Sequence, residues 1–270
     1  LFDISKSSKE IKLLMIKSKE VRKQQIPMKS VYPVTISSTY TYIKTDFIYL
    51  FFSHIAYTLF HLFLGIGFFK IINSHKIYGR ENLKTLKKKG FISVANHCHI
   101  FDTVLTGLAM LPRRPWYASV QRNFEAPYFR KMFRILRGFP IPDGVFGLRK
   151  ILKPVVIAVN QGKIAHFFPE EELWHLYQEI DYFQKGAFYL AHHANCPVVP
   201  IVHMFKPRTI FGRKISDNIL KITTIIGEPI YPRDSHEDGK GIDIESVQEM
   251  CDNAQSWMRT LLSEYHNNVN

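Results

Sequence analysis

His97 and Asp102 are the two residues of this 270-residue chain whose types and spacing best suit chemistry. They lie in Val94-Ala95-Asn96-His97-Cys98-His99-Ile100-Phe101-Asp102, where a buried apolar strand (Phe91 to Ala95) gives way to a helical apolar pattern from Ile100 to Leu111. This would set a histidine at the carboxyl end of a strand and a carboxylate in the first turn of the next helix. The aspartate can then reach back to the imidazole, fix its tautomer and stabilise its conjugate acid. The other ring nitrogen is left free to take a proton from a hydroxyl, so no serine or cysteine nucleophile is needed. Spacing alone does not decide the matter. With 12 His and 10 Asp in the chain, chance supplies about 0.4 such pairs.

The neighbours of the pair invite other readings. Cys98 could accept an acyl group, but the adjacent His97 would have to activate it at a strained angle, which leaves it a packing residue. His99 could be a second base, or a metal ligand together with His97. The i, i+2 spacing and the lack of an obvious third ligand favour a polar residue at a helix start, and no metal site is expected.

The elements that must position the pair read as one α/β domain with an appendage. Apolar β-branched runs (Trp116 to Val120, Ile164 to Phe168, Pro197 to Val202, Leu220 to Ile226) alternate with helical runs (Pro127 to Arg137, Phe146 to Gln161, Gly186 to Asn195, Ile244 to Tyr265). Such alternation predicts a mixed, largely parallel sheet flanked by helices. A short strand is expected at Lys76 to Tyr78, followed by a turn at Gly79-Arg80-Glu81-Asn82 and a lysine-rich bend, Lys87-Lys88-Lys89-Gly90.

Ahead of this domain, Phe47 to Phe69 is a run of 23 residues without a formal charge. It is long enough to span a bilayer. Ser53, His54, Thr58 and His61 interrupt it, so a helix lying in one leaflet competes with a spanning one. His54 and His61, seven apart, read as interfacial polar groups. Residues 1–30 are lysine-rich with Ile11, Leu14 and Met15 at helical spacing, which suits either a lipid-attracted helix or a solvated arm. Residues 1–73 are therefore assigned to a basic arm and membrane-associating segment, and 74–270 to the α/β domain.

A formal net charge of +13 asks for an anionic partner. Three cysteines, Cys98, Cys196 and Cys251, show neither disulfide nor zinc spacing and fit a reducing compartment. The sequence begins at Leu1, so its true start may lie upstream, and its first residues show no secretory leader pattern.

Together these residues resemble the lysophospholipid acyltransferases of glycerolipid synthesis. Asn96-His97 with Asp102 is similar to that family's first motif, and Gly138-Phe139-Pro140-Ile141 resembles its second. Phe168-Pro169-Glu170 begins its third, and Val198-Val199-Pro200-Ile201 is similar to its fourth. The order is right, and the four span roughly residues 75 to 232.

The resemblance implies that His97 deprotonates a lipid hydroxyl, that Asp102 supports it, and that acyl-CoA or acyl carrier protein donates the acyl group, with no tightly bound cofactor. It implies membrane lipids and a lyso-lipid acceptor as partners rather than nucleic acid, at the cytoplasmic face of the cell membrane. Asn96, Gly138, Phe168, Pro169 and Glu170 become candidate substrate contacts, although Glu170 could instead anchor the loop after its strand. Trp174, Tyr177, Tyr182 and Phe183, in the connection from Glu171 to Lys185, could shape an acceptor pocket.

Two departures bear on the acceptor. Asp143 stands near the place where the family's second motif usually carries a phosphate-binding arginine. Glu171, Glu172 and Leu173 replace the usual Gly-Thr-Arg of the third. Arg149 is then a candidate substitute contact, beside Arg137, Lys150 and Lys185, and acceptors other than lysophosphatidic acid come into view. A membrane-bound pseudoenzyme that binds lipid or a partner, and a lipid or thioester hydrolase, are the alternative functions.

Overall fold

The structure, a computed structural model, describes residues 36–37, 39–125, 127–142, 147–210, 213–214, 219–233 and 242–267. The basic arm expected over residues 1–30 and the departure at Asp143 lie outside them.

The alternating apolar runs build a seven-stranded sheet from β1 (Lys76–Tyr78), β2 (Phe91–Ala95), β3 (Trp116–Val120), β4 (Gly138–Ile141), β5 (Ile164–Phe167), β6 (Val198–Pro207) and β9 (Leu220–Ile226). Its order is β1-β9-β6-β2-β5-β3-β4. Neighbours are parallel throughout, except that β9 runs antiparallel to β6. A short hairpin, β7 (Thr209–Ile210) with β8 (Arg213–Lys214), stands apart.

The mixed, largely parallel sheet is thus the one the alternation predicts. β4, carrying Pro140, pairs with β3 at the sheet edge, where a proline is tolerated. β6 runs five residues past the expected Val202, because β9 pairs with it from Ile201 to Pro207.

Side chains on a strand alternate between faces, and β2 shows what that does here. Ile92 and Val94 join the larger core beneath α4 (Gly147–Asn160), α5 (Gly186–His193) and α6 (Ile244–Asn267). Phe91 and Ala95 face the opposite side, toward α2 (Asp102–Met110). The remaining helix, α3 (Pro127–Ile135), is the amphipathic one that Phe129 and Phe133 predict.

α1 (Phe47–Leu62) starts at Asp46, whose Oδ1 accepts the Tyr49 N–H at 2.9 Å, and continues as a π-helix from Phe63 to Ile72. Its polarity is inverted relative to an ordinary surface helix. Ser53, Tyr57 and His61, four residues apart, are buried against the domain. Phe47, Ile48, Phe51, Phe52, Ile55, Leu59 and Phe63 are exposed.

The polar docking is specific. Tyr57 and Tyr117 share a hydroxyl hydrogen bond of 2.8 Å, Arg114 donates to Thr58 Oγ1 at 2.9 Å, and Arg137 donates to Ser53 Oγ and His54 Nε2 at 3.3 Å each. Gly107 of α2 makes the approach possible: a Cβ there would lie 2.1 Å from His61 Nε2. His61 is therefore not the interfacial group expected from its spacing with His54. It stacks on Tyr57 inside the seam, because the residues that break the apolar run are the ones that fasten the helix to the sheet.

Candidate active site

β2 ends at Ala95, and the chain turns through Asn96 to Phe101 before α2 begins at Asp102. The turn closes on the aspartate itself. Its Oδ2 accepts the backbone N–H of Cys98 at 2.7 Å and of His99 at 2.8 Å, and faces His97 Nδ1 at 3.1 Å. A carboxylate oxygen can only accept, so Nδ1 carries the ring proton and Nε2 keeps its lone pair. The Asp102 side chain is fully buried while that of His97 is 21% exposed, so the imidazole is reachable from outside and its partner is sealed from water.

One face of the His97 ring is covered by Phe168, stacked with centroids 4.1 Å apart. Behind Phe168 lies His166, whose Nδ1 meets Ser93 Oγ at 2.9 Å. Burial, with a smaller contribution from His97, pushes the His166 imidazole down to about 3, so it stays neutral beside the His97 ring.

After β5 the chain doubles back over this turn. Trp174 N–H donates to His97 O at 3.0 Å, and Leu176 N–H to Cys98 O at 2.7 Å. Gln178 Oε1 accepts the Phe205 N–H at 3.2 Å, which ties the same segment to β6. Glu170 sits where this strap leaves the strand. It is buried, and burial pushes its carboxyl up to about 8 even though the backbone N–H groups of His97 and Asp181 pull the other way. Its Oε1 is buried without a hydrogen-bond partner among the described residues.

A family model described as acyltransferase matches residues 74–204. The chain carries an acyltransferase-family domain. A comparison with the curated proteins gives no match. Among solved structures, the chain is similar to the crystal structure of the 1-acyl-sn-glycerophosphate (LPA) acyltransferase, PlsC, from Thermotoga maritima, with a TM-score of 0.54 and 16% identity. The match covers 94% of this chain and 97% of that one, and at this identity it speaks for the fold.

Other candidate contacts of the acyltransferase domain fall in different places. Asn96, expected to touch substrate, is buried and bonded at both ends of its amide. Its Oδ1 accepts His203 N–H at 2.8 Å and its Nδ2 donates to His203 O at 3.0 Å. It holds the turn to β6 and has no free end for a ligand.

Gly138 is level with Ser93 in the sheet but three strands away, about 14 Å at ordinary strand spacing. It is buried, and a Cβ there would lie 2.9 Å from Phe133 O, so it packs and does not contact an acceptor at His97. Arg149 stands exposed on the first turn of α4, which follows that same distant strand. Phe168 stacks on the His97 ring, whereas the Pro169 carbonyl accepts Gln184 N–H at 2.8 Å.

Cys98 is buried, and burial followed by the nearby Asp102 drives its thiol well above the usual range, as suits a packing residue. His99 stacks on Phe205, and its Nδ1 accepts Phe101 N–H at 3.3 Å. No cluster of three or more potential metal ligands occurs among the described residues.

Sequence reasoning passed over His203. Its ring joins Thr106 Oγ1 and Thr224 Oγ1, both at 3.0 Å, and so ties α2 and β9 to the strand that Asn96 grips. The signal was present as a polar residue inside the apolar run Val198 to Phe205, where an unpaired imidazole would be costly.

Proposed function

We propose that the protein is a membrane-associated O-acyltransferase, joining a fatty acyl group from an acyl-CoA or acyl carrier protein thioester to the hydroxyl of a lyso-lipid. The observation that carries this reading is the His97 Nδ1 to Asp102 Oδ2 contact of 3.1 Å at the end of a buried strand, in a domain of the acyltransferase family.

His97 Nε2 takes the proton of the acceptor hydroxyl as its oxygen attacks the thioester carbonyl. The new C–O bond forms a tetrahedral intermediate, whose collapse breaks the C–S bond. The leaving thiolate takes the proton back from the imidazolium, so the base is restored without a covalent acyl-enzyme. Asp102 keeps Nδ1 protonated and balances the transient imidazolium charge. No tightly bound cofactor or metal enters this scheme.

Acceptors are drawn from lyso-phospholipids and related lyso-lipids, including those that lack a phosphomonoester. Glu171 and Glu172 are exposed where the family pattern usually has glycine and threonine ahead of its arginine, and they disfavour a doubly charged headgroup. The outward apolar face of α1 and its π-helical extension supports attachment to a bilayer, with the helix lying along the domain because its polar face is already occupied. Three buried free cysteines accord with the cytoplasmic face.

Incubation of wild-type protein and His97→Ala with labelled acyl-CoA or acyl carrier protein and a panel of lyso-lipids tests the reading. Acylated lipid is expected from wild type and not from the variant. Free fatty acid without acylated lipid would instead identify a hydrolase, and no turnover of either kind a lipid-binding pseudoenzyme.

A further inference from the structure

The lysine-rich bend before β2 and the arginine pair before β3 have no part in acyl transfer at His97. Sheet topology brings them together. β2, β5, β3 and β4 are adjacent and parallel, so their entry points share one edge, at the opposite end of the strands from the His97 turn. Lys87, Lys88 and Lys89 precede β2, Lys163 precedes β5, Arg113 and Arg114 precede β3, and Arg137 precedes β4, which puts seven cations along that edge.

The contacts confirm the crowding. Arg113 donates to Leu86 O at 2.7 Å and to Lys89 O and Gly162 O at 2.8 Å each. The two bends press so closely that a Cβ on Gly162 would lie 2.7 Å from Lys88 O. Arg137 donates to Arg114 O at 2.9 Å.

Among the described residues the groups that accept from the arginines of this edge are neutral. Among the described residues no carboxylate forms an ion pair with any of the seven, and Arg114 Nε is buried without a partner. Exposed His54 reports the same field: partial burial, then Arg137 and Arg114, and more weakly Lys163, hold its imidazole below the ordinary range.

A buried guanidinium without a counter-anion is costly, and cations lined along one edge repel one another. The same α1 residues that fasten to this edge, Ser53, His54 and Thr58, belong to the helix whose other face is apolar and exposed. A surface that covers the apolar face therefore arrives beside the cations, and a bilayer carrying phosphates supplies both an apolar interior and the missing negative charge.

We propose that the amino-terminal edge of the parallel strands, centred on Lys89, Lys163 and Arg114, binds the phosphate headgroups of anionic bilayer lipids. This rests on the bilayer attachment proposed above, not on the acyl-transfer chemistry. The lysine ammonium groups can donate to phosphate oxygens, and the guanidinium groups, whose N–H donors are taken up within the edge, add to its positive field.

Flotation with two kinds of vesicle tests it, one of phosphatidylcholine alone and one with roughly 30% phosphatidylglycerol, a content that gives a clearly negative surface. Binding to neutral vesicles reads the apolar helix, and the gain on adding phosphatidylglycerol reads the edge. Lys89→Gln with Lys163→Gln is expected to reduce that gain by about ten-fold, while neutral-vesicle binding and thermal stability stay as in wild type. Lys76→Gln with Lys153→Gln, which removes equal charge elsewhere, should leave the gain intact.

An undiminished gain in the first pair, or an equal loss in the second, overturns the proposal. Displacement from the vesicles by inorganic phosphate at constant ionic strength overturns it too, because that result marks a site for soluble anions. Failure to bind neutral vesicles while the anionic gain persists counts against the apolar helix alone and upholds the edge.

Discussion

Asn96 and His203 are joined by two hydrogen bonds, from the His203 N–H to Asn96 Oδ1 at 2.8 Å and from Asn96 Nδ2 to His203 O at 3.0 Å. The residue beside the base is thereby fixed to the neighbouring strand as firmly as a ladder position. Asn96→Ala leaves a buried N–H and C=O of His203 unpaired, at a cost of about 1–3 kcal/mol. Loss of position at His97 should lower kcat by roughly 10- to 100-fold with KM changed much less. Steady-state kinetics beside a denaturant titration separates the two effects. A raised KM with unchanged kcat would return Asn96 to the substrate contacts.

Asp102→Asn should be more severe for catalysis than for folding. The amide oxygen can still accept from the three N–H groups that converge on Oδ2, but the amide carries no charge to balance an imidazolium and puts a buried NH2 where Oδ1 has no hydrogen-bond partner. A kcat reduced on the order of 10³- to 10⁴-fold is expected, with circular dichroism unchanged. Activity within a few-fold of wild type would remove Asp102 from the mechanism.

Glu170 predicts a pH dependence of stability. Its carboxyl is raised to about 8 by burial, so the folded state holds this proton more tightly than the unfolded chain, where a glutamate titrates near 4.5. A group that binds more protons in the native state makes stability fall as pH rises. The loss begins above the unfolded value and is complete once pH passes the folded one. Glu170→Gln should therefore grow more stable relative to wild type from about pH 5 to pH 8, by several degrees in Tm. Parallel Tm profiles for the two proteins across this window would contradict the assignment.

Leu59 and Phe52 are exposed on the outward face of α1 and carry no part of the docking seam. Replacing both by glutamate should abolish binding to phosphatidylcholine vesicles, since each buried apolar side chain contributes roughly 1.5–3 kcal/mol, yet leave Tm within a degree or two because both are largely exposed and outside the docking seam. A large fall in Tm would show that this face packs against protein.

The site and the sheet were legible in the sequence to different depths. Strand periodicity located β2, β3, β5 and β9 within a residue or so, because buried parallel strands are written as short continuous apolar runs. The His97 and Asp102 relationship was legible because it is local: five residues of turn bring the two together. The packing surroundings of Asn96 and Gly138 were not legible for the opposite reason. The bonds that occupy Asn96 come from a residue 107 positions away, and the distance that removes Gly138 from the base is set by strand order, which alternation of elements does not specify. The meaning of Ser53 and His61 was hidden likewise. Polar residues at four-residue spacing on an apolar helix mark a face, but only its partner tells whether that face meets water or protein.

The strap over the catalytic turn has a consequence for how such an enzyme can change. Its two grips on the turn, Trp174 to His97 and Leu176 to Cys98, run from backbone to backbone. Hydrogen bonds of that kind are indifferent to the side chains that accompany them. Glu172 and Leu173, which are not buried, can therefore be exchanged without loosening these two grips on the turn. The two glutamates of the strap thus stand at positions whose side chains can vary while the turn that holds His97 and Asp102 keeps its geometry.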